Sequence, residues 1–82
     1  MNPKIYKKLI NAGYYSKEEM ERFFNNPPIP SVDNLAEKLG SNFFGLQKRG
    51  MAWGAFRDKE VEVSGGTSQD ALVNLWLKIN DK

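Results

Sequence analysis

The chain has 82 residues, 12 Lys+Arg against 10 Asp+Glu for a formal net charge of +2, and neither Cys nor His. That length leaves material for one hydrophobic core, so residues 1–82 are expected to form a single domain. The missing residue types exclude disulfides, thiolate nucleophiles, imidazole bases and metal sites built on Cys or His.

The N-terminal half reads as three short helices with clear punctuation. Asn2 is a suitable N-cap with Pro3 at the first helical position, and Gly13 closes the turn after Ile10-Asn11-Ala12. Ile5, Leu9 and Ala12 share a stripe opposite Lys4, Lys7 and Lys8. Tyr14-Tyr15 follow as either an exposed contact pair or a local plug. Ser16-Lys17-Glu18-Glu19 spells a capping box, which starts a second helix through Met20, Phe23 and Phe24. Asn26-Pro27-Pro28-Ile29-Pro30 forces an extended connector, with Ile29 expected to dip into the core. Ser31 caps a third helix carrying Val32, Leu35, Ala36 and Leu39, and Gly40 follows its end.

From Phe43 the pattern changes to alternation. A two-residue loop at Arg49-Gly50 would set Leu46 opposite Trp53 and Phe44 opposite Ala55 on one face. The other face would then pair Phe43 with Phe56 and Gly45 with Gly54. Val61 and Val63 alternate with Glu60 and Glu62 as a third strand whose face depends on the Asp58-Lys59 turn. Gly65-Gly66 breaks that strand, Thr67 caps, and Ala71, Leu72, Leu75, Trp76 and Ile79 form one stripe that Val73 and Leu77 widen. Such a helix is buried on most sides. The expected architecture is α+β: three short helices, a three-stranded antiparallel meander and a buried C-terminal helix, its core joining Trp53, Leu46 and Phe44 to Leu72, Leu75, Trp76 and Ile79.

Little in the chain carries catalytic chemistry. Glu18, Glu19 and Glu21 crowd a helix start, where the dipole favours negative charge. Glu60 and Glu62 look like a polar strand face able to pair with Arg57 or Lys59. Neither set comes with an apolar pocket or a partner base. Gly65-Gly66-Thr67-Ser68 lacks the lysine and glycine spacing of a phosphate loop, so a strand-to-helix turn explains it. No catalytic residue, metal ligand or cofactor is assigned, and the chain is read as a non-enzyme.

Charge points instead to a surface. Residues 41–59 carry Lys48, Arg49, Arg57 and Lys59 against Asp58, an excess of +3, whereas residues 16–40 carry three bases against five acids. Phe43, Lys48, Arg49, Phe56, Arg57 and Lys59 are therefore the candidate partner-binding residues. Exposed aromatics beside Arg and Lys suit a protein partner or a nucleic acid. The competing expectation is that the three N-terminal helices cover Phe43 and Phe56. No apolar run approaches the ~20 residues of a membrane span. The N-terminus lacks an apolar signal stretch, so a cytoplasmic monomer without membrane partners is expected.

The segment Gly66-Thr67-Ser68-Gln69-Asp70-Ala71-Leu72-Val73-Asn74-Leu75-Trp76-Leu77 closes a stretch, Trp53 to Leu77, that resembles the tail of small phage- and prophage-encoded proteins of Gram-positive bacteria. Those proteins end in a strand, a glycine, a capping Thr or Ser, and a helix of the form A-[LV]-x-x-L-W-L. The stretch is also similar to the strand-strand-helix segment of HicB-type antitoxins, with a G-x-T-x-x-x-A-x-x-N pattern. The resemblance covers about the last third of the chain and implies an accessory binding protein, its partner a host or phage protein.

Overall fold

A computed structural model describes residues 3–80, so the Asn2 cap lies outside the described residues. The chain forms α1 (Pro3–Asn11), α2 (Lys17–Arg22), α3 (Val32–Leu39), a 3-10 turn at Gly40–Asn42, β1 (Gly45–Arg49), β2 (Ala52–Phe56), β3 (Glu62–Gly65) and α4 (Ser68–Asn80). The strands form an antiparallel sheet in the order β1-β2-β3, so the architecture is α+β.

Local chemistry sets most of the boundaries. Ser16 Oγ accepts the Glu19 amide at 3.1 Å while Glu19 Oε1 accepts the Ser16 amide at 3.3 Å, completing the capping box of α2. Ser31 Oγ accepts the Asn34 amide and starts α3. Thr67 Oγ1 likewise accepts the Asp70 amide ahead of α4, while Asp70 Oδ1 is buried with no hydrogen-bond partner among the described residues. Helix α1 ends in a Schellman arrangement: Gly13, at φ 83°, donates to Ile10 O, and Tyr14 donates to Leu9 O.

Helix α4 is the hub. It packs against all three strands on one side and against α1 and α3 on the other. Ala71, Leu72, Val73 and Leu75 are fully buried, which explains why its apolar residues run nearly round the circumference. Each large aliphatic side chain taken from water contributes roughly 1.5–3 kcal/mol. Leu9 of α1 and Leu35 of α3 complete the far layer, and Tyr14 meets Trp76 edge-on with ring centroids 5.1 Å apart. The two tyrosines are thus a plug between helices. Gly65 lets the start of α4 lie against the sheet, because a Cβ there would sit 2.4 Å from the Ala71 amide nitrogen.

The connector is extended from Asn26 through Ser31, and its carbonyls are taken up by distant side chains. The Tyr6 hydroxyl donates to Pro27 O, the Tyr15 hydroxyl to Pro28 O at 2.8 Å, and Gln69 Nε2 to Pro30 O at 2.5 Å. Proline offers only an acceptor, so these donors hold a segment that cannot enter a helix or sheet ladder. Ile29 is not the anchor expected of it. It is 52% exposed, and Pro27 and Pro30 are buried in its place, while Pro28 stays exposed.

The hairpin also departs from the expected register. Its loop is Gly50-Met51, with Gly50 at φ 63° in the first central position as in a type II′ turn. Leu46 therefore faces Ala55, Lys48 faces Trp53, Gln47 faces Gly54 and Gly45 faces Phe56. Every partner moves by two residues, which preserves the faces of the paired strands. Val63 faces Ala55, and both Val61 and Val63 pack towards the core.

The phenylalanines before β1 exchange the roles expected of them. Phe44 is 78% exposed rather than in the core, and Phe43 packs against the core rather than lying on the outer face. The Phe44 amide donates to Phe56 O although Gly45 is the residue paired with Phe56. Two residues thus address one, as in a bulge, and strand alternation does not carry back to position 44. Helix α2 similarly stops at Arg22, short of the expected Phe23 and Phe24, both of which are exposed.

Candidate partner-binding surface

Because α1 and α3 pack on α4, no helix among the described residues other than α4 packs against the sheet, and the face turned away from α4 is left open. The expectation that the N-terminal helices shield Phe56 is thereby corrected. Along that face lie Gly45, Gln47, Arg49, Gly54, Phe56 and Glu62.

Phe56 lies across Gly45 of the neighbouring strand, where a Cβ would come within 2.6 Å of the ring. Phe44 leans on Phe56 with centroids 5.8 Å apart and planes inclined at 42°. A ring over a bare glycine shields an otherwise weak point of an edge strand, so Phe56 has a structural task as well. Phe44 has no such task, being mostly exposed.

The basic groups are arranged around this pair. Arg49 Nη1 reaches across the middle strand to Glu62 Oε1 at 2.5 Å, passing over Gly54, where a Cβ would sit 3.0 Å from that oxygen. Glu62 thus pairs with Arg49 and not with Arg57 or Lys59. Arg57 Nε lies 3.2 Å from Asp58 Oδ2. Asp58 Oδ1 accepts the amides of Val61 and Glu60, each at 2.9 Å, and these bonds, aided by Arg57, hold its carboxyl below the usual range. This locks the turn between β2 and β3. Lys59, exposed at that turn, makes no ion pair among the described residues.

Together these residues enclose a cleft of about 430 Å³, with the two rings on one side and the Arg57–Lys59 turn on the other. Of the six residues expected from sequence, Arg49, Phe56, Arg57 and Lys59 meet here. Phe43 is drawn to the core, and Lys48 stands across from Trp53 on the opposite face. Sequence reasoning missed Phe44 and Glu62 as members. Phe44 carried no local signal of its bulge, whereas Glu62 could have been found from its place opposite Phe56 once the register was known.

The other candidate motifs take structural places. Glu18 and Glu19 lie in the first turn of α2, and Gly65 to Thr67 make the entry to α4. A second cleft, about 360 Å³, lies between Tyr14, Tyr15, the connector and α3, with Lys38 Nζ 5.3 Å from the Tyr14 ring centroid. Among the described residues no three acidic side chains converge as metal ligands, and no helix is long and apolar enough to cross a membrane. Compared with protein-family models, curated proteins and solved structures, the chain matches none.

Proposed function

We propose that this chain is a non-enzymatic binding module that engages a partner protein through the open face of its sheet. The observation that carries the reading is Phe44, an apolar ring left in solvent at the mouth of a cleft with a basic rim. Aromatic area beside Arg is the combination that forms hot spots, because the ring contributes contact at low entropic cost and Arg offers a planar fork of donors. Three bases face two acids around the cleft; the acids pair with Arg49 and Arg57, which leaves Lys59 as the base with no ion pair among the described residues and favours a partner segment with an apolar anchor beside a carboxylate. The likeness of residues 53–77 to small phage-encoded proteins supports an accessory role of this kind.

The test uses the folded chain as bait, followed by titration of the captured protein into isotope-labelled chain. Amide shifts should centre on residues 44–62, and Phe44→Ala with Lys59→Glu should abolish them. Perturbations confined to α1 and α2 would overturn this surface. A single-stranded oligonucleotide is the second titrant, and tight binding with a steep salt slope would replace the protein partner by nucleic acid.

A further inference from the structure

We propose that the free edge of β1 receives an extended segment of the partner protein as a fourth strand, bearing an apolar residue and a carboxylate two positions apart; this rests on the reading of the chain as a binding module. The hairpin register decides which backbone groups are free. Its two-residue loop makes Arg49 and Ala52 the closing hydrogen-bonded pair, and such pairs recur at every second residue. Gly45, Gln47 and Arg49 therefore turn their backbone groups to β2, and those of Leu46 and Lys48 point outward. Among the described residues nothing hydrogen-bonds to these outward groups. The opposite edge is partly closed. Arg57 donates to Val61 O, so by the same alternation Ser64 points outward from β3. Its carbonyl is taken by Asn74 Nδ2 of α4 at 2.8 Å.

Backbone geometry and the charge on β1 itself select the occupant. Outward N–H and C=O groups in ladder spacing are met by an extended peptide and not by a helix, whose own groups are already paired. Strand β1 carries Lys48 and Arg49 and no acid. Arg49 is turned across the sheet to Glu62, but Lys48 makes no ion pair among the described residues. A carboxylate opposite Lys48 on the incoming strand lies within its reach, at about 4.5–5.5 Å between Cβ atoms. Leu46, on the same face and packed against the core, is matched by an apolar residue two positions away. A second copy is the poorer occupant. Its β1 would set like charges together, and its β3 has the Ser64 carbonyl occupied and Glu62 engaged by Arg49. Lysine on an edge strand guards against such self-pairing, and the same charge admits an acidic strand.

The probe is a capped pentapeptide with valine second, glutamate fourth and threonine elsewhere, titrated to millimolar concentration into the isotope-labelled full chain. In the free chain, the Leu46 and Lys48 amides should exchange with solvent faster than those of Gln47 and Arg49. The peptide should move the Leu46 and Lys48 amide protons downfield in a saturable way and give cross-strand contacts to β1. Lysine in place of its glutamate should weaken binding about fivefold, and Lys48→Glu should reverse that preference. Lys48 is exposed, so the substitution leaves the core untouched. Slow exchange of both amides in the free chain, no saturable shift on β1, or equal binding of the two peptides would overturn the proposal. If the peptide fails while a captured protein still shifts residues 44–62 in a Phe44-dependent way, the open face binds without a fourth strand. If the peptide docks while Phe44→Ala with Lys59→Glu leaves binding of the captured protein intact, the edge stands and the cleft falls.

Discussion

Phe56 lies against Gly45 so closely that a methyl group at position 45 would meet the ring at 2.6 Å. The contact is with the outer end of the ring, which can swing, so Gly45→Ala should leave the fold intact at a cost of about 1–2 kcal/mol. The swing would break the contact with Phe44 and reshape the cleft. Loss of the ring-to-ring nuclear Overhauser contacts, with the remaining spectrum little changed, is the expected signature. Partner binding should fall in the same variant.

Trp76 sits where the tyrosine plug, α4 and the far helical layer meet, 8% exposed and edge-on to Tyr14. Trp76→Ala removes its burial and leaves a cavity, at ~3–5 kcal/mol. A domain of this size has only about 5–8 kcal/mol in total, so the variant should be largely unfolded at ambient temperature. Chemical denaturation gives the value, and an unchanged midpoint would contradict this place in the core.

Phe24→Gly is expected to act in the opposite direction. Phe24 sits at φ 53°, and relief of that left-handed strain should stabilise the chain by about 1 kcal/mol, partly offset by the greater freedom of glycine in the unfolded state. That corresponds to a rise in melting temperature of a few degrees, on the order of 4–8 °C at most. Differential scanning calorimetry measures it directly. A loss of stability would mean that the ring supports the fold.

Alkaline pH should loosen the tyrosine plug. Burial raises the Tyr14 phenol above its ordinary 10.0, with Glu19 adding to the effect. Burial raises Tyr15 further, with Tyr6, Tyr14 and Glu19 contributing, and its hydroxyl is committed to Pro28 O. In both cases the folded state holds the proton more tightly than the unfolded state. Their stabilising contribution is therefore complete below pH 10 and is lost progressively as pH rises beyond it. Urea midpoints at pH 8 and pH 11 should differ for the wild type, and by less for Tyr15→Phe, which has lost one of the two groups.

The division between what the chain states locally and what packing decides follows the range of each interaction. Ser16 with Glu19, Ser31, Gly13 and Gly40 act within about four residues of themselves, so helix starts and two helix ends were legible without any knowledge of the remainder. The nearly continuous apolar circumference of α4 likewise announced a helix with neighbours on two sides, because apolar area must be covered by something. The α+β order and the meander followed from such signals, and four of the six residues named from sequence line one cleft. What local pattern could not convey is where a chain slips by a residue and which layer covers which. A bulge at Phe44, made by one amide addressing Phe56 O, reversed the fates of two adjacent phenylalanines of identical chemistry. Tyr6, Tyr15 and Gln69, the last of them 39 residues from Pro30, donate to the connector's carbonyls and hold it with Pro27 and Pro30, and not Ile29, buried. The open sheet face exists because α1 and α3 found their apolar surface on α4, a choice between two burial sites that only the assembled core makes.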